Sequence, residues 1–455
     1  MELYQKYYKL LLLLLLHLFL CMPFFSSGAQ DLKKQRAWNN SVSAMFVFGD
    51  STVDPGNNNF ISTAFRSNFH PYGQDFENQT PTGRFTNGRL TTDFFRSGNV
   101  TEFWFIAASY VGVKEYLPPY LDPNLSMEDL MTGVSFASAA SGFDPLTPRI
   151  SNVIDMPRQL EYFKEYKRRV ESAIGKQKME QHIKRAVFLI SAGTNDFIVN
   201  YYALPIRRKT YTLSGYQQFL LQQVKQFLQG LWEEGARKIA VSGLPPMGCL
   251  PAVITLNSYN ALLQRGCIEK YSFVARQFNL MLQNEVNSMH FGTAQLGAKI
   301  VFVDIYAPLA DMIQGKGRLG FDEVDTGCCG SGYLEAAFLC NPNSIVCADP
   351  SKYVFWDSIH PTEKTCNNVF KASQVLPHFS EGTDCGLVEG QPSKERSVKI
   401  LFLKYGDFMK FESQGSRLCW ENLCLPVRAG TSSLGCGTGL KVSPTVGALP
   451  RIPRG

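Results

Sequence analysis

Two kinds of apolar pattern alternate along the chain and predict its secondary structure. Long segments carry apolar residues at helical spacing, as at Leu220, Val224 and Leu231 and again at Val274 and Phe278. Short runs of β-branched and aromatic residues between them have the length of buried strands. The candidate strands are Met45–Gly49, Val187–Ser191, Lys238–Gly243 and Ile300–Ile305, with Gly133–Ala137 as a weaker fifth. Strands separated by helices predict a mostly parallel sheet covered on both faces.

Polar residues follow several of these strands, and in a parallel sheet the carboxyl ends of the strands form the edge where ligands bind. Ser51 comes just after the first strand, Asn195 after the second and Gly142 after the weak fifth. These residues could supply a nucleophile, an amide donor and a backbone donor for an oxyanion. The stretch Thr52–Asn59 is expected to form the rim of the crevice. The alternative is that Asp50 and Ser51 only cap the next helix.

Near the other end of the chain, a carboxylate precedes an imidazole by three positions, at Asp357 and His360. Pro361 indicates the start of a helix, and a turn with this spacing brings the two side chains to the same side. Asp357 could then accept the Nδ1–H of His360 and leave Nε2 free to take a proton from a serine. The alternative is a surface histidine that caps a helix.

Composition indicates a globular protein without a nucleic-acid surface. Hydrophobic residues make up 45% of the chain and charged residues 18%, which is enough to bury a large core. The net charge is +6, but the lysines and arginines are scattered rather than gathered into a stripe. We therefore expect no nucleic-acid partner, and we expect a monomer.

Residues 1–29 have the pattern of a secretory signal. Lys6 and Lys9 precede an apolar run from Leu10 to Leu20, and small residues follow up to Ala29. The alternative is an N-terminal membrane anchor, but the run is short for a span and no stop-transfer flank follows. We expect a protein secreted to the extracellular space or cell wall, with no stable membrane span after removal of the signal.

Secretion into an oxidising compartment would allow the cysteines to pair. Six of them lie in the body of the chain, and disulfides are favoured over a zinc site because no histidines are spaced nearby. The sequence leaves their connectivity open; they are Cys249, Cys267, Cys328, Cys329, Cys340 and Cys347. Four sequons are candidate glycosylation sites, at Asn39, Asn78, Asn99 and Asn124.

Four ordered motifs carry a resemblance to a known family. They are FGDS at 48–51, GVSFASAASGFD at 133–144, SAGTNDF at 191–197 and DSIHPT at 357–362. Over residues 42–365 the chain resembles a plant-type GDSL esterase/lipase of the SGNH hydrolase superfamily. The resemblance implies a three-layer α/β/α sandwich with a mostly parallel, flavodoxin-like sheet. It also implies an ester hydrolase that needs no metal or other cofactor.

The resemblance also implies roles for individual residues. Ser51 would be the nucleophile, His360 the general base and acid, and Asp357 the carboxylate that orients it. Asn195 and the turn around Gly142 resemble the oxyanion-hole elements. The family often carries glycine where this chain has Ala139-Ala140, so the backbone donor is expected to be Gly142 or Ala140.

Two segments fit neither the periodicity nor the family. Phe95–Phe105 interrupts a predicted helix, and residues 366–455 lack strand and helix rhythm, so we expect an atypical insertion and a poorly ordered tail. The family usually ends with one more helix, and a retained intron or a misannotated splice site would explain both departures. The alternative for the tail is a small appended domain, in which Val398–Tyr405 resembles a strand.

These observations predict a secreted serine hydrolase of carboxylic esters that acts through an acyl-enzyme. Fatty-acyl esters, acetylated cell-wall polysaccharides, cutin-like polyesters and phenolic esters are all compatible with the family. One alternative is an acyltransferase that uses the same three residues. Another is a non-catalytic cell-wall binding protein.

Overall fold

The computed structural model describes residues 42–97, 116–260, 265–317 and 319–373, together with 402–404 and 407–409. The chain divides into two units, Met1–Glu381 and Gly382–Gly455. In the second unit the described residues are two short antiparallel strands, Phe402–Lys404 and Asp407–Met409. The first of these strands lies within the segment Val398–Tyr405, where the sequence suggests a strand.

The first unit is built on a parallel sheet whose four strands follow each other in chain order. They are β1 Met45–Gly49, β2 Val187–Ser191, β3 Lys238–Ser242 and β4 Lys299–Val303. All four agree with the predicted strands, apart from small shifts at the ends of β3 and β4. The weak fifth candidate, Gly133–Ala137, pairs with β1 through an isolated bridge between Val47 and Ser135. The sequence therefore overstated this segment, which is an extended edge rather than a full strand.

Helices cover both faces of the sheet, which confirms the predicted α/β architecture. The helices in chain order are α1 Thr91–Ser97, α2 Met127–Thr132, α3 Leu146–Ser151, α4 Met156–Ile174, α5 Lys176–Arg185, α6 Ile206–Thr210, α7 Leu213–Glu233, α8 Pro251–Asn257, α9 Glu269–Thr293, α10 Tyr306–Gln314 and α11 Glu363–Ser373, with a π-helical segment at Asp196–Ala203. Among these described segments, no helix is long and apolar enough to cross a bilayer.

The alternation of side chains along β1 divides the core into two parts. Phe46 and Phe48 point to the larger part, where the apolar faces of α4, α7 and α9 pack. Val47 belongs to a smaller cluster on the other face, which is partly covered by Phe95 of α1. Asp155 fixes the start of α4 by accepting the N–H of Arg158.

The last helix, α11, corrects the predicted boundary of the tail. Residues 363–373 form a helix, and Cys366 is buried in it. Phe370 packs against Phe94 and Phe95 of α1, with ring centroids 6.2 and 4.7 Å apart. A boundary at residue 366 is therefore wrong, because this helix already supplies the apolar face that the family's final helix was expected to provide. The predicted insertion begins within α1, and its residues 98–105 lie outside the described part of the chain.

A buried ion pair ties α1 to the segment that follows the gap at 98–115. Arg84 and Asp93 are 4% and 0% exposed, and two guanidinium nitrogens of Arg84 each lie 2.8 Å from an Asp93 oxygen. Arg84 also donates to the carbonyl of Leu117 (2.9 Å), and Asp93 accepts the N–H of Leu117 (3.2 Å). Both members of the pair therefore hold Leu117 beside the first turn of α1.

A disulfide-bonded lobe follows α10. It contains a two-stranded parallel sheet of β5 Glu323–Gly327 and β6 Tyr353–Phe355, which the sequence analysis did not predict. The connectivity left open by the sequence is Cys328–Cys347, Cys329–Cys340 and, outside the lobe, Cys249–Cys267. The lobe packs against the aromatic side chains of Tyr72, Phe85 and Trp356. This packing therefore fixes β6, the strand of the lobe that leads into Asp357.

Candidate active site

The end of β1 turns sharply at Gly49 and brings Ser51 to the edge of the sheet. Gly49 has φ +143°, and a Cβ there would lie 1.8 Å from the carbonyl oxygen of Ser191, so only glycine fits. The side-chain amide of Gln159 holds both the N–H and the carbonyl of Gly49, each at 2.9 Å. Ser51 is 8% exposed. The turn thus presents Ser51 at the carboxyl end of the strand on a backbone that is held from both sides.

Ser51, His360 and Asp357 lie in one hydrogen-bonded line. The Oγ of Ser51 is 2.8 Å from Nε2 of His360, and Nδ1 of His360 is 2.7 Å from Oδ2 of Asp357. Asp357 is fully buried and His360 is 6% exposed. When the carboxylate accepts the Nδ1–H, Nε2 carries a lone pair directed at the serine hydroxyl, which is the arrangement needed for proton transfer.

The turn between Asp357 and His360 is fixed by its own backbone. Oδ1 of Asp357 accepts the N–H groups of Ile359 (2.8 Å) and His360 (2.7 Å), and the Trp356 N–H donates to the His360 carbonyl (2.8 Å). Pro361 then leads into α11. The three-residue spacing therefore places carboxylate and imidazole on the same side, as the sequence analysis expected.

Asp50 is a buried carboxyl group next to Ser51 that the sequence analysis considered only as a possible helix cap. It is 2% exposed and accepts the N–H (3.0 Å) and the hydroxyl (2.8 Å) of Thr52. Burial raises the pKa of Asp50 to about 6, although these hydrogen bonds and the nearby His360 act in the opposite direction. In the sequence, only its position directly before Ser51 could have marked Asp50 as a residue of the site.

Most of the stretch Thr52–Asn59 does not form the rim that the sequence analysis expected, since only Thr52 and Val53 line the crevice. Asn57 is 1% exposed, and its amide donates to the carbonyls of Ser135 and Ala137, both at 2.8 Å. Asp54 is fully buried and accepts the N–H groups of nearby residues, including Ala139 at 2.9 Å. These polar side chains bind backbone groups of the segment Gly133–Ala137 and of Ala139 just after it. Residues 54–58 are therefore buried scaffold for the second motif.

The two oxyanion-hole candidates differ in their positions. Asn195 lines the crevice beside Ser51, and its amide donates to the Ser141 carbonyl at 2.9 Å. Gly142 is buried behind the crevice and does not line it; a Cβ there would lie 2.2 Å from Oδ1 of Asp196. Ala140, the alternative backbone donor, has φ +66°. Asn195 is thus the candidate that the crevice itself exposes, and the backbone donor stays a prediction.

A network of buried acids stands behind Asn195. Asp196 accepts the Phe143 N–H (2.8 Å) and is bonded to the Thr147 hydroxyl, while Arg207 pairs with Asp144 in the same loop. Burial raises the pKa of Asp196 to about 7, although the hydrogen bond from Thr147 lowers it. The network thus holds residues 142–147 against Asp196, the residue that follows Asn195.

The crevice at Ser51 is mostly apolar. It encloses about 1030 Å³ of space when its open mouth is counted. Ser51, His360 and Asn195 contribute polar atoms to its lining. The apolar walls come from α1, α10, α11 and the sheet and include Phe95, Leu189, Val303, Leu309, Phe355 and Val369. A site of this kind can hold an apolar group next to a reactive hydroxyl.

Of the four candidate glycosylation sites, two lie in the described part of the chain. Asn78 and Asn124 are exposed, as an acceptor for a glycan must be. Asn39 and Asn99 lie outside the described residues. Within the described ranges, no three His, Cys, Asp or Glu residues are grouped in a way that could hold a metal ion.

Comparisons with known proteins identify the family. The model of the GDSL-like Lipase/Acylhydrolase family matches residues 45–373. GDSL esterase/lipase At5g45960 of Arabidopsis thaliana is 58% identical over 351 residues, which cover 77% of this chain and 90% of that protein. GDSL esterase/lipase At4g26790 of the same organism is 42% identical over 358 residues, which cover 78% and 97%. The chain therefore belongs to the GDSL-like lipase/acylhydrolase family, and it is a serine ester hydrolase.

Proposed function

We propose that Ser51, His360 and Asp357 carry out the hydrolysis as a catalytic triad. Nε2 of His360 takes the Ser51 proton while Oγ attacks the ester carbonyl. The alcohol then leaves with that proton, and an acyl-enzyme remains. In the second half of the reaction, water activated by the same imidazole hydrolyses the acyl-enzyme, which releases the acid and restores Ser51. The single observation that supports these roles is the line of hydrogen bonds at 2.8 and 2.7 Å.

The negative charge on the carbonyl oxygen needs donors, and Asn195 is the side chain proposed for this. One of its amide hydrogens is engaged by the Ser141 carbonyl, which fixes the plane of the amide at the crevice wall. Its second hydrogen would serve the oxyanion, together with a backbone N–H from Gly142 or Ala140. A donor of this kind contributes about 10²–10³ in rate.

The substrate we propose is an ester with an apolar acyl group. The walls of the crevice are dominated by aliphatic and aromatic side chains, and burying each CH₂ of an acyl chain contributes about 0.8 kcal/mol. An acetyl group would leave most of this surface uncovered. Lipid esters are therefore favoured over acetylated polysaccharides.

The proposed setting is the extracellular space or the cell wall, reached through the signal at residues 1–29. The three disulfides of the described residues and the exposed sequon residues Asn78 and Asn124 are compatible with this route. We propose that the protein acts there as a monomer on a small-molecule or polymer ester.

The nucleophile is tested with a fluorophosphonate probe, which labels only an activated serine. We expect labelling of the purified protein, none of Ser51→Ala, and strongly slowed labelling of Asp357→Asn, in which the imidazole takes the wrong tautomer. Labelling of Ser51→Ala at the original rate would refute the role of Ser51.

The acyl group is tested with p-nitrophenyl esters of increasing chain length. We expect kcat/KM to rise from acetyl to medium chains. Leu309→Trp, which narrows the crevice, should move the optimum to shorter chains, whereas Leu280→Trp, on an exposed side chain of α9, should not. A preference for acetyl in the unmodified protein would contradict the proposed substrate.

A further inference from the structure

The carboxylate of Asp357 accepts more hydrogen bonds than the orientation of His360 requires. Its Oδ1 takes two backbone N–H groups of its own turn, as described above. Its Oδ2 is shared by Nδ1 of His360 and by the hydroxyl of Tyr72, which donates to it at 2.7 Å. The two bonds to Oδ2 have the same length, so tyrosine and histidine compete for the charge on one oxygen atom.

The packing around Tyr72 keeps its hydroxyl at Oδ2 of Asp357. The side chain is fully buried, and its ring meets those of Phe85 (5.7 Å) and Trp356 (6.3 Å) edge to face or nearly so. Phe85 also covers the imidazole of His360, with ring centroids 4.9 Å apart. The same aromatic cluster therefore positions the donor and the base.

The disulfide-bonded lobe packs against Tyr72. Ala337, which lies in the loop closed by Cys329–Cys340, belongs to the same buried cluster as Tyr72. Ala337 has φ +49°, a conformation that is unusual for a residue other than glycine and that is kept where the surroundings impose it. Burial, followed by the neighbouring Asp357 charge, raises the pKa of Tyr72 well above its ordinary value, so the hydroxyl keeps its proton and stays a donor.

We propose that Tyr72 is a positioning residue of the active site, which withdraws charge from Oδ2 of Asp357 and so sets the pH at which His360 becomes a free base. This inference rests on the proposed triad and adds a fourth member to it. Tyr72 does not contact the reacting atoms. It acts through Asp357, and the disulfide-bonded lobe packs against its ring.

The direction of the effect follows from the chemistry of a shared acceptor. A carboxylate oxygen that accepts a hydrogen bond from a phenol has less negative charge to offer to a second donor. Without the phenol, Asp357 would hold the imidazolium proton of His360 more strongly, and His360 would become a free base only at higher pH. The other titratable groups that face this line are Asp50, which interacts with His360, and Ser51. Neither contacts Tyr72, so they are common to wild type and variant.

The test replaces Tyr72 by phenylalanine, which keeps the ring and removes only the hydroxyl. We expect the acidic limb of the kcat/KM profile to shift to higher pH by about 0.5–1 unit. This shift corresponds to a fraction of the energy of one charge-assisted hydrogen bond, by which the bond between Asp357 and the imidazolium becomes stronger. On the plateau of the profile, at a pH above this limb, kcat should change less than about fivefold, because Ser51, His360 and Asp357 are all still present. Tyr166→Phe is the matched control. Tyr166 is equally buried, but its hydroxyl donates to Leu130 and contacts His182, and its removal should leave the profile in place.

A second measurement does not depend on turnover. His360 is titrated by NMR in the Ser51→Ala background, with and without Tyr72→Phe, and its midpoint should rise by the same amount. If Tyr72→Phe does not fold, 3-fluorotyrosine incorporated at position 72 keeps the hydroxyl, makes it a stronger donor and should lower the midpoint instead. A midpoint unchanged by both replacements, or moved in the opposite direction, overturns the role of Tyr72. Failure of the triad itself would appear separately, as fluorophosphonate labelling that persists in Ser51→Ala.

Discussion

The buried ion pair of Arg84 and Asp93 allows a stability prediction with a definite sign. In Arg84→Met, Asp93 loses both guanidinium bonds but keeps the backbone N–H groups of Leu90 (2.8 Å) and Leu117 (3.2 Å). An uncompensated carboxylate remains at a position that is 0% exposed. Removing one partner of a buried pair typically costs about 3–5 kcal/mol, and we expect the free energy of unfolding to fall by that amount at pH 8.

The loss should depend on pH, because a buried carboxylate without its partner favours the protonated form. In the variant the folded state would then bind a proton that the unfolded chain has released above a pH of about 4. Stability therefore falls as pH rises, wherever the folded state binds more protons than the unfolded state. We expect the loss at pH 5 to be smaller than at pH 8 by at least about 1 kcal/mol, since one unit of pH corresponds to 1.36 kcal/mol.

The assay is urea unfolding followed by tryptophan fluorescence at both pH values. Lys164→Met is the control, because Lys164 pairs with Glu161 on the surface, where the two side chains are 32% and 51% exposed. That variant should change stability by less than about 1 kcal/mol at either pH. An equal loss for Arg84→Met at pH 5 and pH 8, or a loss as small as that of the control, would refute the reasoning.

Three further results are expected. Asn195→Ala should lower kcat by about 10²–10³ with little change in melting temperature, and a loss below about tenfold would remove Asn195 from the oxyanion hole. Replacing the Cys329–Cys340 pair, whose members are 11 residues apart, by serines should cost about 3 kcal/mol of stability, measured by urea unfolding; an unchanged midpoint would contradict it. Deleting residues 98–105 should leave the melting temperature within a few degrees, because Arg84 and Asp93 already hold Leu117 beside α1. Unfolding of that variant would make the segment a structural element.

The sequence was sufficient where local pattern and chemistry coincide. The four strands of the main sheet have apolar runs bounded by polar turns, and the spacing of Asp357 and His360 is set within a single turn. The sheet also made the meeting of Ser51 with Asn195 predictable, because the carboxyl ends of parallel strands share one edge.

The sequence was not sufficient where a residue's role depends on a distant partner. Tyr72 and Asp357 are 285 positions apart, and nothing near Tyr72 indicates a carboxylate. Asn57 resembles a turn residue, yet its amide bonds backbone groups 78 and 80 positions away. The apolar face of α11 was overlooked because the helix is short, and its buried side is recognisable only against α1.

The 309 positions between Ser51 and His360 have a consequence for synthesis. Ser51 is among the first residues of the domain to leave the ribosome, and His360, its proposed base, is among the last. Until the turn at Asp357 has emerged and the strands before it have folded, Ser51 is an ordinary alcohol. On the proposed mechanism, a partly synthesised chain therefore has no activated serine with which to attack an ester, and the hydrolase becomes reactive only when its folding is complete.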